Sequence, residues 1–117
     1  MGLSFLTHKG KRILFIDYTQ CKNTGEMIKV LEEVIKEYEK PGGQFLTLND
    51  FTGTYGSSEF MNAASKYKEL FDSKTVKTAV LGIFGIKKIL LNGYNAFVKK
   101  KQMPFDSKAE ALEYLVK

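Results

Sequence analysis

One cysteine, one histidine, one arginine, two prolines and no tryptophan are found in a chain of 117 residues. A lone cysteine, Cys21, excludes an internal disulfide and every cysteine-rich zinc module. With His8 as the only imidazole, no His/Cys metal cluster can be assembled, and neither a metal nor a cofactor is expected. Arginine is nearly missing: seventeen of the eighteen basic residues are lysine. Lysine is a hydrated point charge without arginine's planar fork, so the net charge of +5 does not indicate specific nucleic-acid recognition. Long hydrophobic runs are missing too. The longest, around Ala79 to Leu91, is interrupted by Gly82, Gly85, Lys87 and Lys88 and falls short of the roughly 20 residues that span a bilayer. The opening Met1 to His8 has no charged stretch leading into an apolar one and is not expected to act as a signal peptide, which makes the cytoplasm the expected compartment.

The rest of the chain is ordinary: 44% apolar and 26% charged, enough for one hydrophobic core over residues 1–117. Leu3–Thr7 and Lys11–Tyr18 are β-rich runs, and His8-Lys9-Gly10 between them predicts an antiparallel hairpin. Both sides of the second run are apolar through Ile16, the mark of a strand covered on two faces. Met27, Val30, Leu31, Val34, Ile35 and Tyr38 recur at helical steps, with Asn23 and Glu26 as a cap pair and Pro41-Gly42-Gly43 as the stop. Gln44–Asp50 predicts a strand that runs into a polar loop, after which Ser57 or Ser58 caps a second helix over Glu59–Asp72. Val76–Phe84 predicts a buried strand, and Gly85 ends it. A third helix runs from Ile86 to about Lys100. Pro104-Phe105 then makes an edge strand, and Ser107 with Glu110 caps a last helix over Lys108–Val116. The order ββαβαβαβα predicts an α/β fold: a mixed sheet with an antiparallel hairpin at its start, right-handed parallel crossovers and helices on its faces.

In open α/β sheets ligands bind beyond the carboxyl ends of the parallel strands. Those ends gather Asp17, Asp50, Thr52, Thr54, Ser57 and Ser58. Asp50 fits a side-chain turn to its own backbone better than a metal-binding carboxylate, because a receiver-type site would need a paired acid and a strand-end lysine. The third helix combines Ile86, Ile89, Leu90, Leu91, Tyr94, Phe97 and Val98 with Lys87 and Lys88 at one end and Lys99, Lys100 and Lys101 at the other. A basic amphipathic helix suits an anionic membrane or an acidic partner, whereas the plainer reading is a core helix with lysine-rich ends. Lys87 and Lys88 oppose the dipole of the helix they open, a conflict that a bound anion would relieve. Cys21 has only Lys22 beside it to lower its pKa.

Three stretches resemble the SpoIIAA-like branch of the STAS superfamily, small domains related to bacterial anti-sigma-factor antagonists and to the lipid-binding fold of CRAL-TRIO proteins. They are Lys11-Arg-Ile-Leu-Phe-Ile-Asp-Tyr18, Lys77-Thr-Ala-Val-Leu-Gly82 and Met103-Pro-Phe-Asp-Ser-Lys-Ala-Glu-Ala-Leu-Glu-Tyr-Leu115, and their order spans nearly the whole chain. The resemblance implies a regulatory or protein-binding module rather than an enzyme, with a protein partner expected and homo-oligomerisation left open. It also implies a phosphorylatable serine at Ser57 or Ser58, in the stretch Tyr55-Gly-Ser-Ser-Glu59. Gly56 and Glu59 depart from the Asp-Ser-Ser-Gly pattern of the antagonists, and a plain helix cap accounts for the two serines better. The other reading is a carrier or sensor of an apolar ligand, or of an anionic membrane surface, through helix 86–101 and the pocket between that helix and the sheet.

Overall fold

The computed structural model describes residues 2–117. Among these residues five strands form one sheet in the order β1-β2-β3-β4-β5: β1 (Leu3–His8), β2 (Lys11–Asp17), β3 (Phe45–Asp50), β4 (Thr75–Leu81) and β5 (Gln102–Phe105). Only β1 and β2 are antiparallel, joined by a two-residue turn in which Lys9 and Gly10 both take positive φ (49° and 79°), the twist that two-residue hairpins require. The other pairs are parallel.

Right-handed crossovers between successive, adjacent strands place every connecting helix on the same face of the sheet. That face carries α1 (Thr24–Tyr38), α2 (Ser58–Ser65), α3 (Lys68–Lys74) and α4 (Ile86–Phe97). After β5 the chain turns to the opposite face, where α5 (Lys108–Val116) packs alone. Strand alternation divides the core accordingly: Leu14 and Ile16 of β2 join α1, while Ile13 joins Leu48, Ala79, Ala111 and Leu115 under α5.

Three expected boundaries move. The helix over Glu59–Asp72 is two helices. Lys66 N–H and Tyr67 N–H bond back only three residues, to Ala63 and Ala64, and Ser65 Oγ donates to Met61 O, a pattern that tightens and ends a helix. The turn re-aims α3 so that Phe71 meets Tyr38 edge-on at 5.0 Å between ring centres. The strand over Val76–Phe84 starts at Thr75 and stops at Leu81. Gly82 has φ +80°, and a Cβ there would lie 2.4 Å from the backbone nitrogen of Thr52, so this contact excludes a side chain and turns the chain out of the sheet. The third expected helix stops at Phe97 rather than Lys100. Asp72 of α3 captures the chain there: its carboxylate accepts the N–H of Lys99 (3.1 Å) and of Lys100 (2.9 Å), which pulls Val98 into extended geometry.

Candidate functional site at helix α4 and the cavity beneath it

The carboxyl ends of β2 and β3 are finished in the same way. Asp17 Oδ1 accepts the N–H and hydroxyl of Thr19, and Asp50 Oδ1 accepts the N–H (3.0 Å) and hydroxyl (2.6 Å) of Thr52. Both aspartates are therefore turn formers. Thr54 Oγ1 donates to Phe51 O at 2.8 Å, and Ser57 Oγ accepts the N–H of Phe60 at 3.1 Å as the N-cap of α2. Ser57 also lies 3.0 Å from Thr24 Oγ1, which ties the start of α2 to the start of α1. The loop from Asp50 to Ser57 is thus locked by its own polar side chains, and Ser58, the first residue of α2, is exposed.

The lysines separate. Lys87 reaches back over this loop and donates to Phe51 O at 3.0 Å; desolvation by burial lowers its pKa, against the pull of Asp50. Lys101 Nζ donates to Asn95 O at 3.1 Å, supplying a cation to the carboxyl end of α4. Among the described residues the ammonium groups of Lys88, Lys99 and Lys100 have no ion-pair partner. A helix of twelve residues is about 18 Å long, so Lys88 and the Lys99–Lys100 pair mark its two ends and form no single cluster.

The apolar surface of α4 also divides. Leu91 and Tyr94 turn inward with Val98, and Leu90 is half-buried. Ile86, Ile89 and Phe97 are 58%, 67% and 54% exposed, and Phe84 just before the helix is 61% exposed. Ile86, Ile89, Gly93 and Phe97 follow helical steps of three and four, so the exposed residues form one continuous edge facing α2. The helix is therefore half a core element and half an open apolar edge.

Beneath α4 the sheet is polar. In the parallel register Thr47 of β3 pairs with Thr78 of β4, which pairs with Gln102 of β5, and Asn49 follows two residues along β3. All four side chains lie on the helix side of the sheet and line, with Leu91, Tyr94 and Phe60, a cavity of about 80 Å³ that opens to solvent past Tyr55 and Lys100. Tyr38 OH bonds to Thr47 Oγ1 (2.7 Å) and Thr75 Oγ1 (3.0 Å), and burial raises its pKa against both bonds. Burial likewise pushes the phenol of Tyr94 up to about 12. This polar row was missed in the sequence; its signal was the polar residue at every second position of Phe45-Leu-Thr-Leu-Asn, against apolar Leu46 and Leu48. Asp72 was missed as well. Cys21 gains no activation: burial, then Glu26 and Asp17, raise its pKa. Among the described residues no three His, Cys, Asp or Glu side chains could hold a metal ion together, and no helix is long and apolar enough to cross a membrane.

A hairpin-led mixed sheet with three helical crossovers on one face and a terminal helix on the other is the SpoIIAA-like fold. The chain is similar to a crystal structure of an uncharacterized protein of the DUF3478 family with a SpoIIAA-like fold from Shewanella loihica PV-4. The two superpose with a TM-score of 0.65 over 97% of this chain and 91% of that one, at 17% sequence identity, a likeness of fold. No protein-family model matches the sequence, and no curated protein matches it either.

Proposed function

We propose that this SpoIIAA-like chain is a non-catalytic binding module of the regulatory kind whose working surface is α4, and that α4 docks on an anionic membrane surface. The observation that carries this reading is the open edge of Phe84, Ile86, Ile89 and Phe97, four large apolar side chains each more than half exposed on one short segment. Soluble proteins seldom leave such a contiguous edge uncovered without a use for it. Burying one of these side chains is worth about 1.5–3 kcal/mol, and each lysine near an anionic leaflet adds about 1 kcal/mol. Lys88, Lys99 and Lys100 are the cations placed to contribute, whereas Lys87 and Lys101 are held by backbone carbonyls. An anionic surface satisfies both halves of this arrangement.

Co-sedimentation with vesicles of phosphatidylcholine alone and of phosphatidylcholine with phosphatidylserine tests the reading. The wild-type chain is expected to pellet with the anionic vesicles at low salt and to be released by high salt or by Ile89→Asp with Phe97→Asp. A chain that stays in the supernatant with both vesicle types removes the proposal.

A protein-partner reading attaches to Ser58, exposed at the N-terminus of α2 where a phosphate would meet free N–H groups. Ser57 is already committed as the cap. Phosphopeptide mapping of protein from cells that finds Ser58 modified would support a partner switch; finding it always unmodified would leave the two serines as helix-start residues.

A further inference from the structure

We propose that β1 is an interface between two copies of this chain: the strand pairs antiparallel with its own copy about a two-fold axis at Phe5, which joins the two sheets into one. β1 lies at the end of the sheet remote from α4, since α4 connects β4 to β5, so the contact leaves the open apolar edge of α4 free.

The hairpin register decides which backbone groups face outward. Asp17 N–H donates to Gly2 O at 2.7 Å, which makes Gly2 and Asp17 a hydrogen-bonded pair. Bonded and non-bonded pairs alternate in an antiparallel ladder, so Ser4 with Phe15, Leu6 with Ile13 and His8 with Lys11 are bonded as well. The N–H and C=O groups of Leu3, Phe5 and Thr7 therefore point away from β2, and among the described residues they have no partner. Native sheets blunt such a strand with charge, proline or a bulge. Leu3–Thr7 has none of these: it holds no charged residue in a chain that is 26% charged, no proline, and an unbroken register against β2. Ser4, Phe5 and Thr7 are exposed, Phe5 by 37%.

Symmetry and charge select a second copy as the occupant. An axis at Phe5 sets Phe5 against Phe5 of the second copy and Leu3 against its Thr7, so every outward group of the three residues meets its complement. Side chains alternate across the strand: the two Phe5 rings meet on the helix side, where Arg12 already stacks on each, and Leu6 meets Ser4 on the α5 side. Charge fixes the direction. Lys9 and Lys11 stand at the turn end of the hairpin, and at its other end Asp17 lies beside Asp50. Lys11 and Asp17 belong to no ion pair among the described residues, and alternation with Ile13 puts both on the α5 side. Antiparallel pairing brings the basic end of each copy beside the acidic end of the other; parallel pairing would set like ends together. One cross-strand row then runs from Lys11 through His8 to Gly2 and Asp17 of the second copy, about 14 Å between its end Cα atoms, which an extended lysine shortens to within a Debye length. A single short strand buries less than the roughly 1,200 Å² of a standard interface, so the dimer dissociates on the order of 50 μM.

Sedimentation velocity on the full chain from about 5 μM to about 1 mM, without vesicles, tests this together with residue-resolved amide exchange by ¹H–¹⁵N NMR. The chain is expected to pass from monomer to dimer over that range. The amides of Phe5 and Thr7 should exchange at least threefold more slowly at about 1 mM than at about 20 μM, as the monomer fraction falls. Thr7→Pro removes an outward N–H and no bond of the hairpin, so a folded monomer is expected throughout. Phe5→Lys sets two ammonium groups face to face at the axis and should do the same, and it decides the matter if Thr7→Pro fails to fold. Ile89→Asp with Phe97→Asp should dimerise like the wild type. A wild-type chain that stays monomeric at about 1 mM overturns the proposal. So does a dimer whose Phe5 and Thr7 amides gain no protection, or a folded Thr7→Pro or Phe5→Lys chain that still dimerises. Loss of the dimer in Ile89→Asp with Phe97→Asp also overturns it, because the interface would then lie on α4. No membrane is present, so this interface and the membrane reading fail separately.

Discussion

The two faces of the sheet are built from the same strands and packed to opposite standards. Under α5, a helix of nine residues, Ile13, Leu48, Ala79 and Ala111 have no exposed surface at all, and together with Leu81 and Leu115 they form an apolar core cluster. The other face is covered by four helices, yet it buries Thr47, Asn49, Thr75 and Thr78 and leaves a cavity between helices and sheet. The amount of cover does not explain the difference. Side chains one position apart along β3 and β4 do: Leu46 and Leu48 against Thr47 and Asn49, Ala79 against Thr78. One face is specified for stability, and the other gives up packing in exchange for a lined space.

The largest effect that would break this contrast is Leu48→Ala. A side chain with no exposure, on a face with no slack, should cost about 3 kcal/mol in chemical denaturation and speed amide exchange throughout the sheet. A loss well under 1 kcal/mol would show that the α5 face is looser than it looks. Asp72→Asn comes next, at about 2 kcal/mol near neutral pH, because it weakens the bonds to the N–H groups of Lys99 and Lys100 that end α4. Burial pushes Asp72 up, but the Lys68 ammonium at 2.7 Å and those two N–H groups outweigh it and hold the carboxyl below its usual range. A depressed folded value means that this stability is present above the ordinary carboxyl pKa of about 3.9 and is lost as pH falls through the folded one. The gap between wild type and Asp72→Asn should therefore narrow between pH 5 and the acid limit. A gap that is constant with pH would remove the carboxylate from this role.

The smallest effect should be the most selective. A Cβ at Gly56 would lie 2.5 Å from Ile86 Cγ2 and 3.2 Å from Leu90 Cδ1, side-chain atoms that can move. Gly56→Ala should cost about 1 kcal/mol and raise amide exchange in the first turns of α4 while leaving β2, β3 and β4 protected. Equal loss of protection across the sheet would mean that α4 does not open on its own.

Much of this could be read from the order of residues. Hydrophobic periods of two and 3.6 located the strands and α1, and the caps at Asn23, Ser57 and Ser107 form the expected bonds. The end of α4 could not be read, because it is fixed by Asp72, 27 residues before Lys99. Nor could the division of α4: its apolar residues surround much of the helix, and only the position of α2 decides which stay open. The polar floor is legible one strand at a time, but Thr47, Thr78 and Gln102 become a row only once the register of three parallel strands is set. Ordinary pattern reading stops at that point, since register between distant strands is a tertiary property.

The edges of the sheet differ as much as its faces. β5 has four residues, and one of them, Pro104, has no N–H to offer a further strand. β1 is six residues long, contains no proline, and has the guanidinium of Arg12 stacked 3.6 Å from the ring centre of its Phe5. Growth of the sheet by strand addition from another chain is thus blunted on the β5 side and open along β1. The molecule is directional: a second polypeptide that extends its sheet would join at the hairpin, on the far side from β5.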